Sequence, residues 1–396
     1  MKSTTKKSSL CSRVMTGLAV LIPVLAIGLR LVWHSTWFVG YDLNNCPGCV
    51  PKIDWSNSSN VEVVSPEKVN EFDEKGAVLF SNALPVELVQ ELAKEVDALP
   101  NTFMTDVLAR TLLPQYMRYE HHLETRSELV RDWALHGPLS KWAAELMNVD
   151  QVRLYNAEAI YHAGEASPNP CKPAWHRDTI AAPFPTNVRS VTFNIYFEDI
   201  GADAPNGDGL IYMSGSHKDL TGPPTNPNII EHYVRVGDVL AHDAHSYHTT
   251  SGRGCWRRRS MQFRYVAGND NEGKLTTFQF GRNRFPHGPV PWSLAQAPEL
   301  YPHGLDNGDL LQGHGYPLAF PAPLEAEHVP LTGNIWSLKK IFELITESGE
   351  AAKQLPKDFF AMDGPIVDPE DWVSQSNLPM HKRGATYQIF KETGEI

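Results

Sequence analysis

From about residue 150 to 266 the chain is a succession of short β-prone runs broken by Gly, Pro and Asn. They are "QVRLYNAEAIYHAG", "VRSVTFNIYFED", "GLIYMSGSH", "IEHYVRVGDVLAHD" and "RSMQFRYV". No long helical pattern separates them. Short strands joined by turns, with no helices between, point to an antiparallel sandwich or barrel.

The segment before them has a different character. "SPEKVNEFDEKGAVLFSNAL" reads as a capped short helix followed by the strand "AVLF". In "PVELVQELAKEVDALP", Val86, Leu88, Val89, Leu92, Val96 and Leu99 recur at helical spacing, with Pro85 near the start and Pro100 at the end. "SELVRDWALHGPLSKWAAELMN" adds one or two helices, and its Trp and Leu stripe is a core face. After about residue 270, loops rich in Pro, Gly and His lead to a helix near "NIWSLKKIFELITE". The expected division is a basic segment at 1–13, an apolar segment at 14–38, a stalk at 39–60, a main domain at 61–285 and an extension at 286–396.

Val14 to Leu29 runs 16 residues without a charge, after Lys2, Lys6, Lys7 and Arg13. That is short for a spanning helix and long for a signal-peptide core. Arg30 can snorkel, and Trp33 and Trp37 suit a headgroup belt. The expectation is a retained membrane anchor, with a cleaved secretory signal as the alternative. Basic residues ahead of the run place the N-terminus in the cytosol and the body in the lumen. The sequon Asn57-Ser58-Ser59 agrees.

Of the 35 basic residues, five precede residue 40, which leaves 30 against 46 acidic ones in the remainder, a balance of −16. Such a body argues against nucleic acid, which needs a basic face. Among the five cysteines, Cys11, Cys46, Cys49, Cys171 and Cys255, only Cys46 and Cys49 in "CPGC" are paired by spacing. No second CxxC completes a zinc ribbon, so they are given no chemistry.

The chemistry concentrates in "PAWHRDTIAAPF". In a strand, residues i and i+2 point to one face, so His176 and Asp178 would aim together and Arg177 away. Two imidazoles and one carboxylate on one face of an octahedron form the facial triad of non-haem iron(II), with three positions left open. The third ligand must come from elsewhere, and His242, His245 and His248 in "GDVLAHDAHSYHTTSGRG" all qualify by type.

Together, "PAWHRD", "NGDGLIYMSGSHK", "GDVLAHDAHSYHTT" and "RRSMQFRYV" resemble the phytanoyl-CoA dioxygenase family of iron(II)/2-oxoglutarate oxygenases over roughly residues 150–266. The resemblance implies a mainly β fold with flanking α, a double-stranded β-helix (jelly-roll) core, here preceded by the membrane anchor. It implies Fe(II), 2-oxoglutarate and O2 as cofactor and cosubstrates.

The family histidine follows the Gly-Asp turn by about eleven residues, which selects His248 after Gly237-Asp238. His242 and His245 are left in structural or supporting roles, and His217 in a structural turn. The resemblance also implies that Arg258 anchors the far carboxylate of 2-oxoglutarate, with Arg257 and Arg259 aimed elsewhere, and that Thr250 adds a hydroxyl. On "VTFNIYF", Thr192, Asn194 and Tyr196 share one face, and Phe193, Ile195 and Phe197 the other. Asn194 is then a candidate contact to cosubstrate or substrate, or a polar barrel lining. Tyr161 or His162 could also reach the cosubstrate.

Arg177 stands where the family commonly has glutamine, and Arg253 where asparagine is common, so the substrate pocket departs from the family pattern. The expected reaction is hydroxylation of an unactivated C–H bond in a lipid or small specialised metabolite, with release of succinate and CO2. The carboxylate of Asp178 disfavours halogenation. A metal-dependent hydrolase on the same residues, or a non-catalytic jelly-roll binding module on a membrane stalk, are the rival readings.

Overall fold

The structure is a computed structural model. It describes Ile53, Trp55 and residues 64–100, 116–162, 177–178, 187–201, 209–219, 227–250, 258–270, 272–277, 308–312 and 316–321. The apolar run at 14–29, the CPGC pair, His176, Arg253, Arg257 and "NIWSLKKIFELITE" lie outside these residues. Among the described residues no helix is long and apolar enough to cross a membrane.

The helices begin and end where local chemistry dictates. Ser65 Oγ accepts the Lys68 N–H at 3.4 Å and Pro66 occupies the first turn of α1 (Pro66–Lys75). Gly76 adopts φ 77° and closes the helix with its N–H on Phe72 O at 2.8 Å. β1 (Ala77–Phe80) follows directly. Helix α2 (Val86–Ala98) buries Val89, Leu92 and Val96. "SELVRDWALHGPLSKWAAELMN" folds as two helices, α3 (Glu128–Leu135) and α4 (Pro138–Met147). The break falls at Gly137-Pro138, where proline cannot extend α3 but suits the first turn of α4.

The remaining strands are β2 (Tyr116–Glu120), β3 (Val152–His162), β4 (Ser190–Tyr196), β5 (Leu210–Met213), β6 (Ile229–Glu231), β7 (Val239–Asp243), β8 (His248–Thr250), β9 (Arg258–Ala267) and β10 (Leu318–Phe320). One sheet has the order β1-β7-β4-β9-β3-β10, with β2 also on β3, and a smaller sheet has the order β6-β5-β8. The ladders between them are antiparallel. The result is mainly β, a curled sheet with a jelly-roll-like core and helices along one side.

Strand alternation gives the large sheet two different faces. Phe193 and Ile195 of β4, Met261 and Phe263 of β9, and Ala157 and Ala159 of β3 pack in one apolar core with α2, α3 and α4. The Trp142 ring stacks on Phe80 at 4.9 Å, and Trp133 lies 6.3 Å from Phe263. The tryptophan stripe is therefore core, as its spacing implies. The opposite face carries Thr192, Asn194 and Tyr196 of β4, His242 of β7, and Ser260, Gln262 and Arg264 of β9, all buried. Register aligns them in rows, with Thr192 opposite both His242 and Arg264, and Asn194 opposite Gln262. Tyr196 packs with Leu210 and Tyr212 of the small sheet, so this polar face looks into the space between the sheets.

The Gly237-Asp238 turn that precedes β7 is a fastener. Asp238 Oδ1 accepts from Asn82 N at 2.7 Å and Oδ2 from Arg235 N at 2.8 Å. A Cβ on Gly237, whose φ is +99°, would stand 2.9 Å from Leu84 O. Asp238→Ala strips the acceptor from two backbone N–H groups and is expected to cost about 1–3 kcal/mol. Urea unfolding measures this, with the midpoint falling and the slope unchanged.

Candidate metal centre

The polar inner face converges on Asp178. Thr192 Oγ1 donates to Asp178 Oδ2 at 3.0 Å, and His242 Nε2 lies 3.0 Å from the same oxygen. His248 Nε2 and Arg264 Nη2 each lie 3.6 Å from Asp178 Oδ1. The ligand-capable atoms of Asp178, His242 and His248 all fall within 4.8 Å of one another, the one such group able to hold a metal ion among the described residues. Burial opposes the charge on Asp178. Even so, the Arg264 guanidinium, with His248 and His242 beside it, holds this carboxyl well below the usual carboxylate range. The site therefore offers an ionised carboxylate, the form a cation needs.

His248 stands at the start of β8, opposite Tyr212. Its Nδ1 lies 3.0 Å from Ser246 O, a carbonyl that can only accept. The ring proton is thereby fixed on Nδ1, and Nε2 carries the lone pair facing Asp178 Oδ1. His245 is held differently: its backbone N–H donates to Asp243 Oδ1 at 2.8 Å and its Nδ1 lies 3.1 Å from the same atom, a lock on the turn before β8. His217 Nε2 lies 3.1 Å from Asp73 O, again structural.

Asp178 lies outside the strands, so strand alternation is not what aims it. The donor hydroxyl of Thr192 and the neighbouring rings of His242 and His248 do that, through contacts between segments distant in sequence. Arg177 does turn away. Its Nη2 donates to Ser216 O at 3.1 Å and to Asp219 O at 2.5 Å, and the guanidinium lies 4.1 Å over the Tyr247 ring.

Tyr161 does not reach towards the cosubstrate. It faces the helical side, where its hydroxyl donates to Asp97 Oδ1 at 2.9 Å. Arg259 faces the same way, over the Tyr161 ring and onto Asp97. Asn194 is taken up within the wall: Nδ2 donates to Leu240 O at 3.2 Å and faces His242 Nδ1 at 3.1 Å, while Oδ1 accepts from Gln262 at 2.6 Å. Thr250 lies half-buried at the end of β8, two residues beyond His248.

Arg258 begins β9, on the face it shares with Ser260, Gln262 and Arg264. It is 6% exposed, and its Nε and Nη1 find no hydrogen-bond partner among the described residues. Its charge is felt by Tyr212, whose hydroxyl lies 3.3 Å from His242 Nδ1. A buried guanidinium with unused donors calls for an anionic partner, and a carboxylate matches its fork.

Sequence reading alone missed the network behind the site. Arg264 Nη2 pairs with Glu158 Oε1 at 2.6 Å and donates to Gln262 Oε1 at 2.9 Å, and His121 Nδ1 lies 2.9 Å from Glu158 Oε2. The trace in the sequence was the alternation Arg258, Ser260, Gln262, Arg264, set against Met261, Phe263 and Tyr265 on the other face. Polar residues at every second position of a buried strand mark a wet or ligand-bearing face.

A family model for phytanoyl-CoA dioxygenase (PhyH) matches residues 72–259. None of the curated proteins searched matches the chain. Among solved structures, the non-heme alpha ketoglutarate dependent carbocyclase SnoK from nogalamycin biosynthesis is 18% identical. Its TM-score is 0.47, over 65% of this chain and 96% of its own. The non-heme alpha ketoglutarate dependent epimerase SnoN is 19% identical with a TM-score of 0.48, over 64% of this chain and 97% of its own. HygX from Streptomyces hygroscopicus, with nickel, 2-oxoglutarate and hygromycin B bound, is 17% identical with a TM-score of 0.40. That match covers 52% of this chain and 87% of HygX.

The residues fit the family's cofactors. Imidazole and carboxylate donors suit Fe(II), and the buried Arg258, with Nε and Nη1 unused among the described residues, suits 2-oxoglutarate. Over residues 72–259 the chain is similar to the phytanoyl-CoA dioxygenase family, whose model matches there.

Proposed function

We propose that the protein hydroxylates an unactivated C–H bond of a lipid or small specialised metabolite. His176, Asp178 and His248 hold Fe(II), and Arg258, assisted by Thr250, holds the far carboxylate of 2-oxoglutarate. Bound there, iron supplies the oxidising chemistry that couples conversion of 2-oxoglutarate and O2 into succinate and CO2 to oxidation of the substrate. The observation that carries the reading is a buried Asp178–His248 donor set together with a buried Arg258 whose Nε and Nη1 find no hydrogen-bond partner among the described residues.

Each residue has a physical task. Asp178 stays ionised and His248 presents a lone pair. Arg258 fixes the register of the cosubstrate by a two-point contact that a lysine cannot reproduce. The apolar core behind β4 and β9 keeps the wall rigid. A hydrolase would use the same donors but leaves the Arg258 donors without a task.

The acidic balance of the body disfavours a CoA thioester. The apolar segment at 14–38 would hold the chain on a membrane, with the stalk at 39–60, the catalytic domain at 61–285 and the extension at 286–396 on the lumenal side. That arrangement favours a substrate found at or near the bilayer.

A screen of lipids and small metabolites with Fe(II), 2-oxoglutarate and 18O2 tests the proposal. The expected result is substrate-stimulated succinate formation and a product heavier by one oxygen atom derived from O2. A product short of two hydrogens with no added oxygen would replace hydroxylation by desaturation, and a preference for acyl-CoA would overturn the substrate class.

A further inference from the structure

Two imidazoles approach Asp178, and proton bookkeeping along the wall tells them apart. Arg264 has only donors, so Gln262 must turn its Oε1 towards Arg264 Nη2, at 2.9 Å. Gln262 Nε2 is then the atom that donates to Asn194 Oδ1, at 2.6 Å. That fixes Asn194 with Nδ2 towards Leu240 O at 3.2 Å, a carbonyl that can only accept, and towards His242 Nδ1 at 3.1 Å. His242 Nδ1 therefore accepts. A proton on it would set two donors face to face. The ring proton sits on Nε2, and Nε2 faces Asp178 Oδ2 at 3.0 Å.

The geometry points to His242 as a positioning residue that donates its Nε2–H to Asp178 Oδ2, and not as a metal ligand, although it stands within ligand distance of the cluster. Arg264, Gln262 and Asn194 form a relay that sets its tautomer. Asp178 Oδ2 then receives two hydrogen bonds, from His242 and from Thr192 Oγ1 at 3.0 Å. The metal is left with Oδ1, the oxygen that His248 Nε2 faces at 3.6 Å. Asp178 binds through one oxygen, and the ring of His242, 4.5 Å from that of His248, walls the site without occupying a coordination position. This inference rests on the metal-centre reading above, and it deepens that reading by taking His242 out of the ligand set.

The test uses the full-length chain in detergent, 15N-labelled at histidine, with His242→Gln assigning the His242 signals. Solid-state 15N NMR reads which ring nitrogen is protonated, first without metal and then with Zn(II) as the probe. The expected result is an Nε2-protonated His242 in both states, while His248 Nε2 shifts on Zn(II) addition. An Nδ1-protonated His242, or a His242 Nε2 that takes up Zn(II), overturns the inference.

Co(II) titration adds a second reading. His242→Gln, which keeps a side-chain N–H, should bind Co(II) within about threefold of wild type, whereas His242→Leu should weaken binding about ten- to hundredfold, the effect of losing a partner behind a ligand. Circular dichroism confirms that both variants fold. Equal, near-complete loss of Co(II) in both would mark His242 as a ligand. Undiminished Co(II) binding in His248→Ala would instead strike the underlying metal-centre reading and leave the His242 tautomer untouched.

Discussion

Asp178→Ala is expected to reduce turnover by about three orders of magnitude or more, a loss of roughly 4 kcal/mol or more of transition-state stabilisation, and to release the bound metal. Asp178 is the only acidic residue in the candidate metal-holding group among the described residues. The fold should survive the change. Arg264, which faces Asp178 at 3.6 Å, keeps its shorter pairing with Glu158 at 2.6 Å, so no buried charge is stranded. Steady-state succinate formation and metal analysis of the purified variant check both halves. Full turnover in this variant would remove Asp178 from the reaction.

Arg258→Ala is expected to raise the KM for 2-oxoglutarate by about 10- to 150-fold, the equivalent of losing a charge-assisted hydrogen-bonded pair of about 1.5–3 kcal/mol, with a smaller effect on kcat. Arg258→Lys should recover part of the loss, because a point charge replaces the fork. The protein without cosubstrate gives the discriminating control. A structural arginine would destabilise the fold when removed, but Arg258 Nε and Nη1 bond to nothing in the described protein. Its removal should leave the Tm unchanged or raised. A large drop in Tm with an unchanged KM would make Arg258 a structural residue.

Much of the fold was legible because local chemistry dictated it. Ser65, Pro66 and Gly76 bound α1 at the residues where capping rules place its ends. The alternation in "VTFNIYF" separated Thr192, Asn194 and Tyr196 from Phe193 and Ile195, as the two faces of β4 confirm. The Gly237-Asp238 turn and the selection of His248 came through resemblance, and the structure gives each a physical task.

What was not legible depends on contacts between distant segments. Asp178, which lies outside the strands, is aimed by Thr192, His242 and His248 from β4, β7 and β8, not by strand register. Tyr161 was a candidate for the cosubstrate from its place on β3, but helix α2 offers Asp97 on the opposite side. Glu158 and Arg264 are unremarkable as single residues and become the base of the site only when β3 and β9 pair. Resemblance left His242 in a structural or supporting role without saying which, and the amides of Gln262 and Asn194 supply the contacts that define it.

The account's central claim is that a single iron site couples oxidation to 2-oxoglutarate. Its most direct test is succinate released from 2-oxoglutarate by the full-length wild-type chain, measured with Fe(II), with Zn(II) and without metal, beside His248→Ala. The account predicts succinate with Fe(II) alone, dependent on O2 and lost in His248→Ala. Succinate formation that persists in His248→Ala, or a wild-type protein that turns over with Zn(II) and needs neither O2 nor 2-oxoglutarate, would contradict it.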